Sequence, residues 1–248
     1  MRTLFRPLFL GALICTFSFL GAAVWAREKA PADPDPRQSL RFLKSSEFSY
    51  YVSRPTGWTA NRKFPILVNL DGSGHHFELS FKQFSRARGD LPFLIVTPRF
   101  PSNGGDRAEQ AALVRIVRQV QQQDGGQERF FLTGFSSGGI LASKMLVTRP
   151  DLLAGVAPAS SSFGEHRYPR VSTHPARATL PVRAFFGGDD RHRALYFSRW
   201  QRFAAFLRAQ GYERVDHTIV PGTKHDSFVP QIVAYFASLL PDESSSGA

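Results

Sequence analysis

The segment Gly134-Phe135-Ser136-Ser137-Gly138 sets a serine between two glycines, each two residues away. It follows the apolar run Phe130-Phe131-Leu132-Thr133 and precedes a stretch with helical character. In that setting the chain must turn from strand to helix within one residue, so only small neighbours fit and the serine hydroxyl stands clear of the sheet. Ser136 is therefore the candidate nucleophile for acyl transfer. Ser137 is out of frame, with Phe135 where the first glycine should stand. Its backbone N–H, one residue past Ser136, is suited to bind the oxyanion of a tetrahedral intermediate.

A serine hydroxyl reacts only when a base takes its proton and an acid orients the base. On a strand-and-helix scaffold the expected order is Ser, then Asp or Glu, then His, each in a loop after a later strand. Asp189 and Asp190 follow Val182 to Phe186 through Gly187-Gly188, and His225 follows Val215 to Val220 through Pro221-Gly222-Thr223-Lys224. Asp190 is taken as the acid, with Asp189 as the alternative, and His225 as the base. His75, His76, His166, His174, His192 and His217 lack that order and context. A second oxyanion donor is expected early in the chain, where Asp71-Gly72-Ser73-Gly74 follows Ile66 to Leu70. The N–H of Gly72 or Ser73 is the candidate, since glycine lets backbone approach a substrate closely. Asp71 precedes the nucleophile and is read as shaping this loop.

The elements that carry these residues alternate. Short apolar runs at Ile66–Leu70 and Phe93–Val96 read as buried parallel strands, and Phe130–Thr133, Leu153–Ala157, Val182–Phe186 and Val215–Val220 as further strands. Phe48–Val52 reads as an edge strand. Helices are expected over Arg107–Gln123, where Ala108, Ala112, Leu113, Ile116, Val117 and Val120 form one stripe before Gly125-Gly126, and over Ser137–Val147, Ala194–Ala209 and Pro230–Leu239. The pattern predicts an α/β fold: a mainly parallel twisted sheet with helices on both faces.

The 248 residues, 42% hydrophobic and 21% charged, suit a globular chain. Met1–Pro7 carries Arg2 and Arg6, Leu8–Val24 is uncharged and mostly apolar, and Val24-Trp25-Ala26 offers small residues for cleavage. Residues 1–26 are thus expected to be a signal peptide, with an uncleaved membrane anchor as the alternative. Cys15, the single cysteine, leaves with it, which excludes a disulfide scaffold and a cysteine nucleophile from the mature chain. Residues 27–45 read as a linker, 46–241 as the catalytic domain and 242–248 as a disordered tail. The net charge of +11, or +9 without Arg2 and Arg6, comes from scattered residues with no long basic run, so no nucleic-acid partner is expected.

Arg129 through Gly139 resembles the nucleophile segment of the polyhydroxybutyrate-depolymerase and feruloyl-esterase branch of the α/β-hydrolases. Pro150-Asp151-Leu152 leading to Val156-Ala157-Pro158-Ala159-Ser160, and Pro221-Gly222-Thr223-Lys224-His225, are similar too. The similarity runs from about Phe48 to Leu240. It implies an α/β-hydrolase fold with an eight-stranded type of sheet and little or no lid. It also implies a triad of Ser136, Asp190 and His225, with no metal and no cofactor. The family often shows His-Gly-Cys in the early loop with disulfides nearby; Asp71-Gly72-Ser73 is closer to siderophore-type esterases. The stretch Ser161–Leu180, with Phe163, His166, Tyr168 and Pro169, falls where lid or acyl-pocket residues insert, or is plain surface loop. The expected activity is hydrolysis of a small carboxylic ester by a secreted or periplasmic enzyme without a stable membrane span. A peptidase or acyltransferase on the same triad, and a noncatalytic exported binding protein, are the alternatives; acyl specificity and oligomeric state are not read from the sequence.

Overall fold

The computed structural model describes residues 38–43, 48–100, 107–161 and 171–241, all within one unit, Pro34–Ala248. The signal-peptide segment, the tail and the loop holding Phe163, His166, Tyr168 and Pro169 lie outside the described residues.

The apolar runs pair into one sheet of eight strands. These are β1 (Gln38–Phe42), β2 (Ser49–Ser53), β3 (Phe64–Leu70), β4 (Leu94–Arg99), β5 (Gly126–Phe135), β6 (Leu153–Ala159), β7 (Val182–Gly187) and β8 (Val215–Val220). Their spatial order is β1-β2-β4-β3-β5-β6-β7-β8. The β1–β2 and β2–β4 pairs are antiparallel, and every other pair is parallel. The helices are α1 (Phe77–Ala87), α2 (Arg107–Asp124), α3 (Ser137–Thr148), the short α4 (Ala176–Thr179), α5 (Arg193–Ala209) and α6 (Val229–Ala237). This is the α/β-hydrolase fold.

The alternation of side chains along buried strands divides the core in two. Ile66, Val68 and Leu70 of β3 face a cluster built with Leu113 and Ile116 of α2, Leu141 and Met145 of α3, and Trp200 and Phe203 of α5. Leu67 faces the other way, toward Phe81 and Phe84 of α1 and Ile232 and Phe236 of α6. Phe131 locks this second layer, edge-to-face against Phe93 at 5.7 Å and tilted against Phe236 at 5.0 Å. Covered on both faces, β3, β4, β6 and β7 carry near-continuous apolar runs, while β8, at the sheet's edge, exposes Asp216 and His217.

Two expectations are corrected. β2 is not the edge: β1 pairs outside it, within the stretch read as linker, and Tyr50 and Val52 are fully buried. What holds β1 is a long-range ion pair, Arg41 Nη1 to Asp124 Oδ2 at 2.5 Å, joined by Arg54 Nε to Asp124 Oδ1 at 2.9 Å. The second correction is α1, which crosses between β3 and β4 where no helix was expected. Among the described residues no helix is long and apolar enough to cross a membrane.

Candidate active site

β5 ends at Phe135 and α3 begins at Ser137, leaving Ser136 alone to make the turn. Its φ of +51° lies in the left-handed region that a side chain ordinarily avoids. The backbone is held against that strain from three sides. Ser136 N–H donates to the Ala159 carbonyl at 2.9 Å, while its own carbonyl accepts from Gly139 N–H at 3.1 Å and from Ser161 Oγ at 2.8 Å. A methyl group at Gly134 would overlap the Gly138 carbonyl, and one at Gly138 would overlap the carbonyls of Leu70 and Asp71. The close contact that excludes a side chain there brings the β5–α3 turn against the end of β3. Ser137 starts α3, so its N–H is one of the donors a helix leaves without an internal partner.

The candidate acid and base meet in the loops after β7 and β8. His225 Nδ1 lies 2.8 Å from Asp190 Oδ2, and His192 N–H donates to Asp190 Oδ1 at 2.8 Å. The Asp190 side chain is only 2% exposed, against 33% for that of His225. Burial pushes the Asp190 carboxyl up, but the hydrogen bonds from His192 N–H and the His225 imidazole, with the electrostatic pull of the two histidines, outweigh it and hold it below its ordinary value. An ionised carboxylate only accepts, so Nδ1 carries the proton and Nε2 is left as the acceptor. Asp189 is exposed, and its N–H donates to the Thr223 carbonyl at 2.9 Å. The structure thus brings Asp190, not Asp189, to the imidazole.

The early loop closes the constellation. A methyl on Gly72 would lie 3.0 Å from Phe135 Cδ1 and 3.4 Å from Ser136 Cβ, while the Gly72 carbonyl accepts from His75 N–H at 3.1 Å. Ser73, next to it, is exposed. Asp71 is buried, with Oδ2 lacking a hydrogen-bond partner, and its carbonyl packs against Gly138 rather than His225. One ring joins the two halves: Phe135 abuts Gly72 on one side and meets the His225 ring at 4.9 Å on the other.

Reading the sequence missed the wall and brace residues. Tyr196 of α5 flanks the imidazole at 5.6 Å, and the Ser161 hydroxyl braces Ser136 from the stretch read as lid or loop. Their only sequence signal is position just after a strand or at a helix start. The described non-glycine residues with positive φ are His75, Ser136, Ser160 and Phe228, and each follows the carboxyl end of a strand. Among the described residues no group of three or more His, Cys, Asp or Glu side chains is placed to hold a metal ion.

Residues 103–238 match the model of a family described as phospholipase/carboxylesterase. No curated protein matches the chain in sequence. Among solved structures it is similar to a thermostable esterase, with 18% identity, a TM-score of 0.64, 82% of this chain covered and 61% of that one. The chain thus spans less than two thirds of that esterase. It is similar to poly(aspartic acid) hydrolase-1 from Sphingomonas sp. KT-1, at 15% identity and a TM-score of 0.63 over 83% of this chain and 99% of that one. It is also similar to LpqC, a poly(3-hydroxybutyrate) depolymerase from Bordetella parapertussis, at 20% identity and a TM-score of 0.61 over 84% and 92%. At these identities the likeness is one of fold.

Proposed function

The chain belongs to the phospholipase/carboxylesterase family of α/β-hydrolases, and on that footing we propose that it is an exported serine esterase acting through an acyl-enzyme on Ser136. The observation that carries the reading is the Phe135 ring, which touches His225 and abuts the loop beside Ser136. In this mechanism Ser136 Oγ attacks the ester carbonyl and His225 Nε2 takes its proton. The developing oxyanion is bound by the N–H of Ser137 and by that of Gly72 or Ser73. His225 returns the proton to the departing alcohol, leaving the acyl group on Ser136. A water molecule, deprotonated by the same nitrogen, then attacks the acyl carbonyl and restores the serine. Asp190 holds the imidazole in the required tautomer and balances its charge when it is protonated.

The charged start and apolar run of residues 1–26 support the proposal of export, to the periplasm or the extracellular space. Replacing Ser136 by Ala tests the reading with p-nitrophenyl acetate: turnover is expected to vanish, and an unchanged rate removes the assignment. The likeness to a poly(aspartic acid) hydrolase, whose named substrate is linked by amides, favours a second reading as a peptidase. Assaying a matched ester and amide with the same acyl group separates the two.

A further inference from the structure

Beside the oxyanion loop lies a cavity of about 460 Å³ whose wall includes Tyr51, His75, His76, Phe77, Lys82 and Arg99. It is tied to the nucleophile through few atoms. His75 N–H donates to the Gly72 carbonyl at 3.1 Å, and a methyl on Gly72 would stand 3.4 Å from Ser136 Cβ. His75 is held at φ +53° and stacks on Phe77 at 5.2 Å, so strain is stored on the cavity side of the loop as well as at Ser136.

Among the described residues the charge lining this recess is unbalanced. Lys82 Nζ is paired with Glu78 Oε1 at 2.5 Å, which cancels one cation against the anion on the wall. Arg99 Nη1 meets Ser49 Oγ at 3.3 Å, and the guanidinium stands 6.0 Å from the Tyr51 ring; both contacts are neutral. Tyr51 is itself fixed by stacking on Phe81 at 5.1 Å. The cavity therefore offers a planar, permanently charged fork beside an aromatic wall, with two imidazoles as further donors. A guanidinium fork matches a carboxylate in shape and charge. The net positive charge, +11 for the whole chain and +9 without Arg2 and Arg6, draws anions toward the surface as a whole.

We infer that this cavity is a subsite for a carboxylate carried by the substrate, so that the preferred ester is an anion with a free carboxylate a few bonds from its scissile carbonyl. The inference rests on the serine-esterase reading and narrows its substrate class.

Two matched pairs of esters test it: p-nitrophenyl hydrogen glutarate against its neutral methyl ester, and 4-acetoxybenzoate against methyl 4-acetoxybenzoate. The first pair carries the charge on the acyl side and the second on the alcohol side. For at least one pair, kcat/KM is expected to be higher for the anion, and Arg99→Gln should lower that anion-to-neutral ratio about tenfold, mainly through KM. Arg99→Lys, which keeps the charge, should restore part of the ratio. Ratios near one for both pairs in the wild-type enzyme, or a ratio that Arg99→Gln leaves unchanged, overturn the inference while leaving the esterase reading intact. Absence of turnover with all four esters removes the esterase reading, and this inference with it.

Discussion

His225 and Asp190 face each other across two loops, Nδ1 to Oδ2 at 2.8 Å, although 35 residues separate them in the chain. Gly187 makes the approach possible, since any side chain there would run into the backbone of Thr223 and Lys224. The ends of β7 and β8 are thus pressed together, which fixes the Asp190 carboxylate against the imidazole. The carboxylate's charge is nearly inaccessible to solvent, and its two oxygens are met by the His225 ring and by His192 N–H.

Asp190→Asn keeps the shape but removes that charge, and the amide can favour the wrong imidazole tautomer. On the proposed mechanism kcat is expected to fall on the order of 10³- to 10⁴-fold. Asp189→Asn alters an exposed side chain and should change kcat by less than about twofold. Steady-state kinetics of both variants with p-nitrophenyl acetate compare the two carboxylates directly; a larger loss in the Asp189 variant would reverse their roles.

The turn at Ser136 depends on the absence of side chains around it. Gly138→Ala sets a methyl group against the carbonyls of Leu70 and Asp71, and is expected to lower stability by about 2 kcal/mol or more. Gly57, with φ +70°, has open space around it, so Gly57→Ala should cost only about 1 kcal/mol of backbone strain. Urea unfolding of the two variants measures the difference, and equal losses would mean that close approach is not what Gly138 provides.

Asp124 is fully buried and anchors Arg41 of β1 and Arg54 after β2, while its carbonyl accepts from Trp58 Nε1 at 2.8 Å. Asp124→Ala strips both guanidinium groups of their partner and should cost on the order of 2 to 3 kcal/mol, discounted for the partial exposure of the arginines. Hydrogen exchange should show β1 and β2 losing protection ahead of β5. Uniform loss across the sheet would contradict the clasp.

How much of this was legible in the sequence depends on how local each cause is. The buried strands β3, β4, β6 and β7 announce themselves because a strand covered on both faces is apolar nearly throughout, whereas the edge strand β8, with Asp216 and His217 exposed, shows only as a β-branched run between turn residues. Ser136 is marked by its glycines, and His225 by the loop that carries it. β1 hides because Gln38–Phe42 is polar and partly exposed, with Phe42 66% accessible, and its anchor lies 83 residues away in Asp124. α1 does carry Phe77, Phe81 and Phe84 at helical spacing, but it opens after His76, whose side chain makes no capping bond, so its start has no signal. Asp189 and Asp190 are neighbours of the same type. Only the turn, in which one backbone N–H goes to Thr223 and the other carboxylate goes to His225, tells them apart.

Alkaline stability should report the half-buried Tyr235 and the buried Tyr212. Burial pushes the Tyr235 phenol up to about 12, against the pull of Arg183 and Arg214, and burial likewise raises that of Tyr212, whose hydroxyl donates to the Leu146 carbonyl at 2.7 Å. Below about pH 10 the phenols are protonated in both folded and unfolded chains, so their contribution is intact. Above it the unfolded chain loses its protons first, and stability falls as pH rises toward about 12. Urea midpoints measured from pH 8 upward should be insensitive to Tyr235 at first and then decline, less steeply in Tyr235→Phe; an identical slope in that variant would contradict the assignment.

The central claim, that the Ser136 hydroxyl becomes a nucleophile, is tested most directly by locating the covalent adduct. Purified protein treated with a fluorophosphonate and digested for mass spectrometry should carry one phosphonyl group, on the peptide containing Ser136, and Ser136→Ala should carry none there. A fully folded wild-type protein that stays unlabelled, or a label found on another serine and retained in Ser136→Ala, would contradict it.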